Sequence, residues 1–321
     1  MTAFLLSQLF WRRCIPLLAI AALACSPPVA GEKTRNAQQE APAAAYHSSD
    51  PALWVLSDDD TTIYFFGSVH MLRPGVIWFD DEVKAAFDRS DELVLEVLKE
   101  DPARMAAIVG PLATNVDGPP TSSLLPPKIR ALYMAALKEY NLPPQTMDRI
   151  DPWLVAINLS VSPLLRMGYR DDLGVEKILG DAAEASGKRV IGLETTEQQL
   201  GYFDTLPQKV QIAYLSSTVE DLPSTGKEFA KLMHNWQTGN ARELAKQMNE
   251  SLKETPEMAQ ALLYDRNARW VKWIVQRMEQ PGTVFVAVGA GHLAGKGSVI
   301  DLLNKGNLTV RRVSKKDFGL E

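Results

Sequence analysis

The chain has 321 residues, of which 46% are apolar and 23% are charged, and its formal net charge at pH 7 is −5. This composition is that of a globular protein with ample core, in one large domain or two smaller ones. It argues against collagen, coiled-coil and extended low-complexity architectures. A mildly acidic chain is also a poor candidate for binding nucleic acid or anionic lipid surfaces.

The first 24 residues, MTAFLLSQLFWRRCIPLLAIAALA, have the pattern of a secretory signal peptide. A basic pair precedes a short apolar run, which is too short to anchor the chain stably across a bilayer, and small residues follow. Ala-Leu-Ala-Cys, which ends at Cys25, also resembles a lipobox, so simple cleavage and lipidation of Cys25 are both open. We therefore expect an exported protein, either free in the periplasm or anchored to the outer membrane.

Residues 25–48 are rich in Ala, Pro and polar residues and show no periodicity. They predict a flexible tether ahead of a folded domain over residues 49–321. Cleavage before Cys25 removes two arginines and no acid, so the net charge changes from −5 to −7. Because Cys14 is removed as well, the mature chain retains at most Cys25 and has no disulfide framework.

The folded part begins with two apolar runs, residues 52–57 and 61–68, around an Asp-rich turn. Apolar runs in this arrangement predict a β-hairpin. A short helical pattern follows at 80–89, and DELVLEVL (91–98) is typical of a buried strand. The beginning of the domain is therefore predicted to be mostly β-structure.

Two long helical patterns occupy residues 102–187 and 195–280, and a strand is predicted between them at 188–194. The strands predicted at 283–289 and 308–313 bring β-structure back at the end of the chain. The simplest architecture is α/β, with a central mixed sheet of about six strands and two large helical insertions.

Chemically active side chains follow the predicted strands. TTIYFFGSVHML (61–72) and TVFVAVGAGHLA (283–294) each contain Gly-x-x-His after a strand, which gives His70 and His292. Two further strands carry Glu96 and Glu194. Because ligands gather outside the strand ends of an open α/β sheet, we expect these four side chains to lie together. Imidazole and carboxylate groups bind Zn, Mn, Fe or Co, and a hydrolytic site needs such ligands with a base beside them.

A structural explanation competes with this prediction. A single histidine at a strand end is more often a satisfied structural residue than a ligand, and a buried carboxylate requires a cation or a strong donor. Arg266, in LLYDRNARWVKW, is available as the partner of Glu96. Against this, two of the four histidines share one local context. The residues alone leave both explanations open.

Several blocks together resemble a known family. FFGSVHML, LVLEV, GVEKILGDAAEASGKRVIGLETTEQQL, DRNARW and VFVAVGAGHLAGKGSVIDLL occur in this order over about residues 50–313. As a set they resemble the TraB/GumN family, which also includes the pheromone-shutdown proteins and the animal Tiki proteins. The resemblance implies a metal-dependent hydrolase fold of the peptidase type, since animal members act as metalloproteases with Mn- or Co-type metals.

The resemblance also implies the ligands of a metal ion. By position, the two Gly-x-x-His blocks give His70 and His292, and the acid of the apolar strand gives Glu96. The expected cofactor is one divalent ion, Mn, Co or Zn.

The remaining blocks imply catalytic residues. Glu194 would be a further ligand or the general base, Arg266 would stabilise a developing oxyanion, and Asn267 would orient a neighbour. One position departs from the family pattern, because Glu176 stands where Asp is expected after Gly-x. The role of that side chain is therefore not carried over.

We predict an exported metal-dependent hydrolase, a metallopeptidase that acts on peptides or on a cell-envelope substrate. Three alternatives stay open: a protein that binds and sequesters a peptide or small ligand, a metal-free esterase-like hydrolase, and a purely structural role for these side chains. The expected partner is a peptide or small-molecule substrate and not nucleic acid, and a lipid anchor at Cys25 stays open. The oligomeric state is not indicated by the sequence.

Overall fold

The computed structural model describes residues 47–115, 117–252 and 255–320. Its centre is a six-stranded sheet with the strand order β6-β5-β7-β3-β2-β8, and β1 and β4 form a separate pair. The strands are β1 (His47–Ser48), β2 (Leu53–Ser57), β3 (Thr61–Ser68), β4 (Val76–Ile77), β5 (Glu92–Leu95), β6 (Arg189–Gly192), β7 (Gly282–Gly289) and β8 (Arg311–Arg312). Pairing begins at His47, two residues before the predicted start of the folded domain.

Helices form most of the remaining described chain. They are α1 (Asp81–Arg89), α2 (Pro102–Ala113), α3 (Thr121–Leu124), α4 (Pro127–Glu139), α5 (Pro144–Met147), α6 (Pro152–Arg166), α7 (Val175–Ala185), α8 (Thr196–Asp204), α9 (Gln208–Gln237), α10 (Ala241–Leu252), α11 (Pro256–Ala259), α12 (Asp265–Arg277), α13 (Ala290–Leu293) and α14 (Val299–Lys305). A π-helical turn, Gln260–Tyr264, joins α11 to α12. None of the helices in the described ranges is long and apolar enough to span a bilayer.

The predicted fold class is confirmed. The sheet is mixed, with β2 antiparallel to β3 and β8, and with parallel pairing among β3, β7, β5 and β6. One helical insertion lies between β5 and β6, and the second lies between β6 and β7. The predicted signal peptide and nearly all of the predicted tether lie outside the described residues.

Three strands are shorter than predicted: β5, β6 and β8. Beyond the ends of β5 and β6, the backbone N–H of Leu193 still donates to the carbonyl of Leu95, and that of Glu194 donates to the carbonyl of Glu96. These two bonds hold the segments that follow the strands side by side. They therefore bring Glu96 and Glu194 next to each other.

Parallel pairing gathers the predicted site at one edge of the sheet. The last residue of β3, Ser68, is opposite Gly289 of β7, and Leu95 of β5 is opposite both Ala287 and Gly192. The carboxyl ends of four strands therefore meet at the same edge, which is where α/β sheets bind ligands. The two Gly-x-x-His segments are neighbours because β3 and β7 are adjacent.

Alternating side chains cover the two faces of the sheet. In β7, Phe285 packs on one face among residues of α1 and α7, and Val284 and Val286 pack on the other among residues of α12 and α14. This period of two is expected for a strand between two helical layers. The helical insertions have a core of their own, in which Trp153 stacks on Phe203.

Gly174, directly before α7, lets the backbone of that helix approach the first Gly-x-x-His segment. A Cβ at this position would lie 2.2 Å from the carbonyl oxygen of His70. The Val175 N–H also donates to the carbonyl of Val69, so α7 begins against this loop. The segment that carries His70 is therefore held between β3 and α7.

We predict that Gly174→Ala destabilises the protein by roughly 1–3 kcal/mol, because the added methyl group must displace backbone. Gly180→Ala, within α7, is the matched control. Nothing lies within 4 Å of a Cβ there, and alanine in a helix interior is more stable than glycine by roughly 0.5–1 kcal/mol. Urea unfolding of both variants checks the prediction, and equal effects would contradict it.

Candidate functional site

The guanidinium of Arg266 lies at the centre of the candidate site. This side chain is only 2% exposed, in the first turn of α12. Its Nη2 donates to Glu96 Oε2 at 2.6 Å, and its Nε lies 2.9 Å from Glu194 Oε2. Its Nη1 is 3.1 Å from both His292 Nε2 and the carbonyl oxygen of Leu262. Nη2 also lies 2.9 Å from Glu194 Oε2.

Hydrogen bonds use most of the donor capacity of the arginine. A guanidinium has five N–H groups and no acceptor. Four of them donate to Glu194, Glu96, His292 and the Leu262 carbonyl, and the second contact of Nη2, with Glu194, is an ion pair. Burial alone would lower the pKa of Arg266, but Glu96 and Glu194 outweigh it and raise that pKa. The predicted direct role for Arg266 in binding an oxyanion would therefore require one of these partners to be exchanged for substrate.

Glu96 has partners at both carboxylate oxygens. Besides Arg266, Oε2 accepts from the Gln199 amide at 2.9 Å, and Oε1 accepts from the Gly289 N–H at 2.6 Å. A Cβ at Gly289 would lie 3.0 Å from Oε1, so glycine allows this close approach. Burial would raise the pKa of Glu96, but the charge of Arg266, the influence of His292 and His70 and the hydrogen bond from the Gly289 N–H lower it to about 2. The side chain is a fixed carboxylate at neutral pH.

Glu194 is held by aromatic donors as well as by Arg266. Its Oε1 accepts from Trp270 Nε1 at 3.2 Å and from the Tyr202 hydroxyl at 3.3 Å. Arg269, which is 48% exposed, approaches the same oxygen at 3.5 Å. Trp270 also lies beneath the Arg266 guanidinium, 4.8 Å from ring centroid to Cζ. Cation–π attraction of this kind adds to the ion pairs.

His292 is a buried neutral imidazole, and its hydrogen-bond partners determine which ring nitrogen carries the proton. Asn267 Nδ2 donates to the carbonyl oxygen of Gly297 at 2.8 Å, so its Oδ1 must accept from His292 Nδ1 at 2.6 Å. Nε2 then carries the lone pair, which accepts from Arg266. Burial and the charge of Arg266 lower the pKa of His292 to about 3. Asn267 therefore fixes both the tautomer and the orientation of the ring.

His70 has a different environment at the same sheet edge. Its Nδ1 lies 2.9 Å from Glu176 Oε1, in the first turn of α7, and the two side chains are 20% and 21% exposed. Burial would lower the pKa of His70, but the nearby charge of Glu176 outweighs it and raises that pKa to about 9. Glu96 raises the same pKa and Arg266 lowers it, so His70 is within electrostatic reach of the buried network.

The structure therefore divides the predicted residues into two groups. One continuous network of short contacts joins five of them: Glu96, Glu194, Arg266, Asn267 and His292. His70 lies beside this network and pairs with Glu176, the position that departs from the family pattern. The pairing of Glu96 with Arg266, weighed above as a structural alternative, is present.

The predicted metal ligands do not fit an ion in this arrangement. Both oxygens of Glu96 accept hydrogen bonds, the lone pair of His292 faces a guanidinium N–H, and His70 is engaged by Glu176. Across the described ranges, no three His, Cys, Asp or Glu side chains converge on a point that could hold a metal ion. The identity of the metal ligands therefore stays a prediction.

Four contributing side chains were not predicted: Glu176, Gln199, Tyr202 and Trp270. Gln199 and Tyr202 both lie on α8, directly after Glu194. A run of polar residues at a helix start beside a buried acid was the available signal. Trp270 follows Arg266 by one helical turn, which places both on the same face of α12.

The fold and the site together define a class of protein: an α/β domain whose parallel strands deliver histidines and glutamates to one sheet edge around a buried arginine. The model of the TraB/PrgY/gumN family matches residues 52–312. The chain belongs to this family.

The chain is also similar to proteins whose names state no activity. It is 24% identical over 265 residues to the uncharacterized protein YbaP of Escherichia coli (strain K12), a match that covers 80% of this chain and 93% of that protein. The same figures hold for YbaP of Shigella flexneri. An uncharacterized protein of Treponema pallidum (strain Nichols) is 20% identical over 274 residues, which cover 79% of this chain and 80% of the relative. No solved structure matches significantly.

We predict that Glu176→Gln lowers the pKa of His70 from about 9 to 6.5 or below, because the amide removes the charge that opposes burial. The ring resonances of His70, followed by NMR from pH 5 to 10, measure this pKa. In the wild type, the stabilisation from the raised pKa is complete below the unfolded value near 6.5 and is lost as pH rises through about 9. An unchanged pKa in the variant would contradict the pairing.

Proposed function

We propose that the protein is an exported hydrolase acting on peptides or on a cell-envelope substrate, with His70 as its acid–base group. The observation that carries this proposal is the pair formed by His70 and Glu176, which is partly exposed beside a rigid, buried charged network. A carboxylate on one ring nitrogen orients the imidazole and leaves the other nitrogen for water or substrate.

The proposed chemistry uses both protonation states of His70. Neutral His70 takes a proton from water as the water attacks a carbonyl carbon, and the imidazolium then returns that proton to the leaving group. The raised pKa of His70 makes the neutral form scarce at pH 7, so hydrolysis should accelerate as pH rises towards about 9. The charged groups that shift the pKa of His70 most are Glu176, Glu96 and Arg266.

A metal-dependent version of this function is the second candidate. It is favoured by the resemblance to metalloprotease members and by the mutual influence of His70, Glu96 and His292 on one another's pKa. For these three side chains to hold an ion, Arg266 would first have to leave its present partners. A protein that binds and sequesters a peptide without turnover is a further candidate, which the experiment below separates from both.

We predict that His70→Asn lowers hydrolysis at least about 100-fold, the usual contribution of a positioned acid–base group. Residues 25–321 would be incubated with peptide and ester libraries, and products would be detected by mass spectrometry. His234→Asn is the matched control, because His234 is exposed on α9 and makes no side-chain contact with the site.

The reaction would be run with a chelator and with added Mn, Co or Zn. Hydrolysis that survives chelation and requires His70 supports the proposal. Hydrolysis that only an added ion restores supports the metal-dependent version instead. Tight binding of a peptide with no product under any condition would leave only the sequestering role.

We also propose export, supported by the basic pair, the apolar run and the small residues of the first 24 positions. The chain produced with its leader should lose residues 1–24, and intact mass should show whether Cys25 also carries lipid. Leu18→Arg, which interrupts the apolar run, should block this processing. Ala44→Arg, in the predicted tether, serves as the control. A purified protein that still carries residues 1–24 would refute the proposed export.

A further inference from the structure

The atoms that surround Arg266 form an unusual set of donors. Two carboxylates, from Glu96 and Glu194, and a neutral imidazole, from His292, all direct lone pairs at one guanidinium. Carboxylates with a neutral imidazole are also the ligands that divalent transition metals take in proteins. This triad has the donor types of a metal site, although no three such side chains in the described ranges are placed to hold an ion as they stand. The cation that the triad surrounds belongs to the chain itself.

The guanidinium and a metal ion cannot share these donors. Glu96 Oε2 lies 2.6 Å from Nη2, and His292 Nε2 lies 3.1 Å from Nη1. An ion that bound the same atoms at about 2.0–2.2 Å would overlap the guanidinium. Binding an ion therefore requires Arg266 to move away.

Arg266 is also held against displacement. It is almost fully buried, it stacks against Trp270, and the ring centroid of Tyr202 lies 5.8 Å from Cζ. Moving it would break its hydrogen bonds to Glu96, Glu194, His292 and the Leu262 carbonyl at once. Leaving a buried charge without partners is strongly unfavourable.

We infer that Arg266 takes the position that a divalent ion would need between Glu96, Glu194 and His292, so that the native site excludes such ions and loss of Arg266 opens it to them. The inference deepens the proposed function, because it concerns the same site, but it does not depend on turnover. It makes Arg266 a positioning residue that supplies a fixed positive charge.

The test compares divalent-ion binding by the wild type and by Arg266→Gln, in residues 25–321. The variant leaves two buried carboxylates without their cation, so it should melt at a lower temperature than the wild type. Mn, Co or Zn at about 100 times its Kd should raise the Tm of the variant by roughly 5–10 °C. The wild type should show no such shift, and its purified form should contain less than about 0.1 ion per chain by elemental analysis.

Two further variants serve as controls. Arg269→Gln removes an exposed arginine that approaches the same Glu194 at 3.5 Å. Like the wild type, this variant should show no rise in Tm when Mn, Co or Zn is added. The double variant Arg266→Gln/Glu96→Gln removes one donor of the triad, and it should lose the ion response.

Each result decides the inference. A stoichiometric ion in the wild type that is lost in His292→Ala would overturn it, and so would an Arg266→Gln variant that no ion stabilises or refolds. An inactive protein with the expected ion responses would refute the proposed function and leave this inference intact. An active wild type with a resident ion at the triad would overturn this inference and leave the proposed hydrolase function intact.

Discussion

The buried guanidinium of Arg266 is the interaction on which the rest of the site depends. A charge removed from water is tolerable only where opposite charges and hydrogen-bond acceptors surround it. Here Glu96 comes after β5, Glu194 comes after β6, and Arg266 comes from α12 at the end of the second insertion. The sheet and the end of the second insertion must therefore be in place before this charge is compensated. Fold and site are for this reason one structural unit.

The same constraint explains features that lie around the charges. Gly289 has no side chain where the Glu96 carboxylate meets the backbone. Trp270 donates its N–H to Glu194 and places its ring face against Arg266. Asn267 holds His292 in the tautomer that accepts from Arg266. Each of these residues satisfies a polar atom that burial would otherwise leave without a partner. A buried polar network is stable only if its members are satisfied, since an unpaired group in a low dielectric is costly.

Sequence patterns predicted the sheet edge and most of the charged side chains gathered there, but not the partner of His70. Strand periodicity and the Gly-x-x-His repeats predicted the sheet edge. An acid within an apolar run indicated that a cation or strong donor lies beside it, and Arg266 was available as that partner. The partner of His70 could not be predicted in this way. Glu176 lies more than 100 residues away on α7, and only the close approach of that helix at Gly174 brings the two side chains together. Local patterns determine which strand carries a group, but tertiary packing determines which partner the group meets.

The two matching segments illustrate this limit most clearly. His70 and His292 follow adjacent parallel strands in nearly the same local sequence, yet a carboxylate raises the pKa of the first to about 9, while burial and a guanidinium lower that of the second to about 3. At neutral pH one ring is therefore a cation near solvent and the other is a neutral acceptor in the core. Environments that separate the pKa values of like groups are how active sites assign different tasks to them. Of the two rings, only that of His70 is partly exposed to solvent, because His292, which resembles it in sequence, is buried and committed to Arg266.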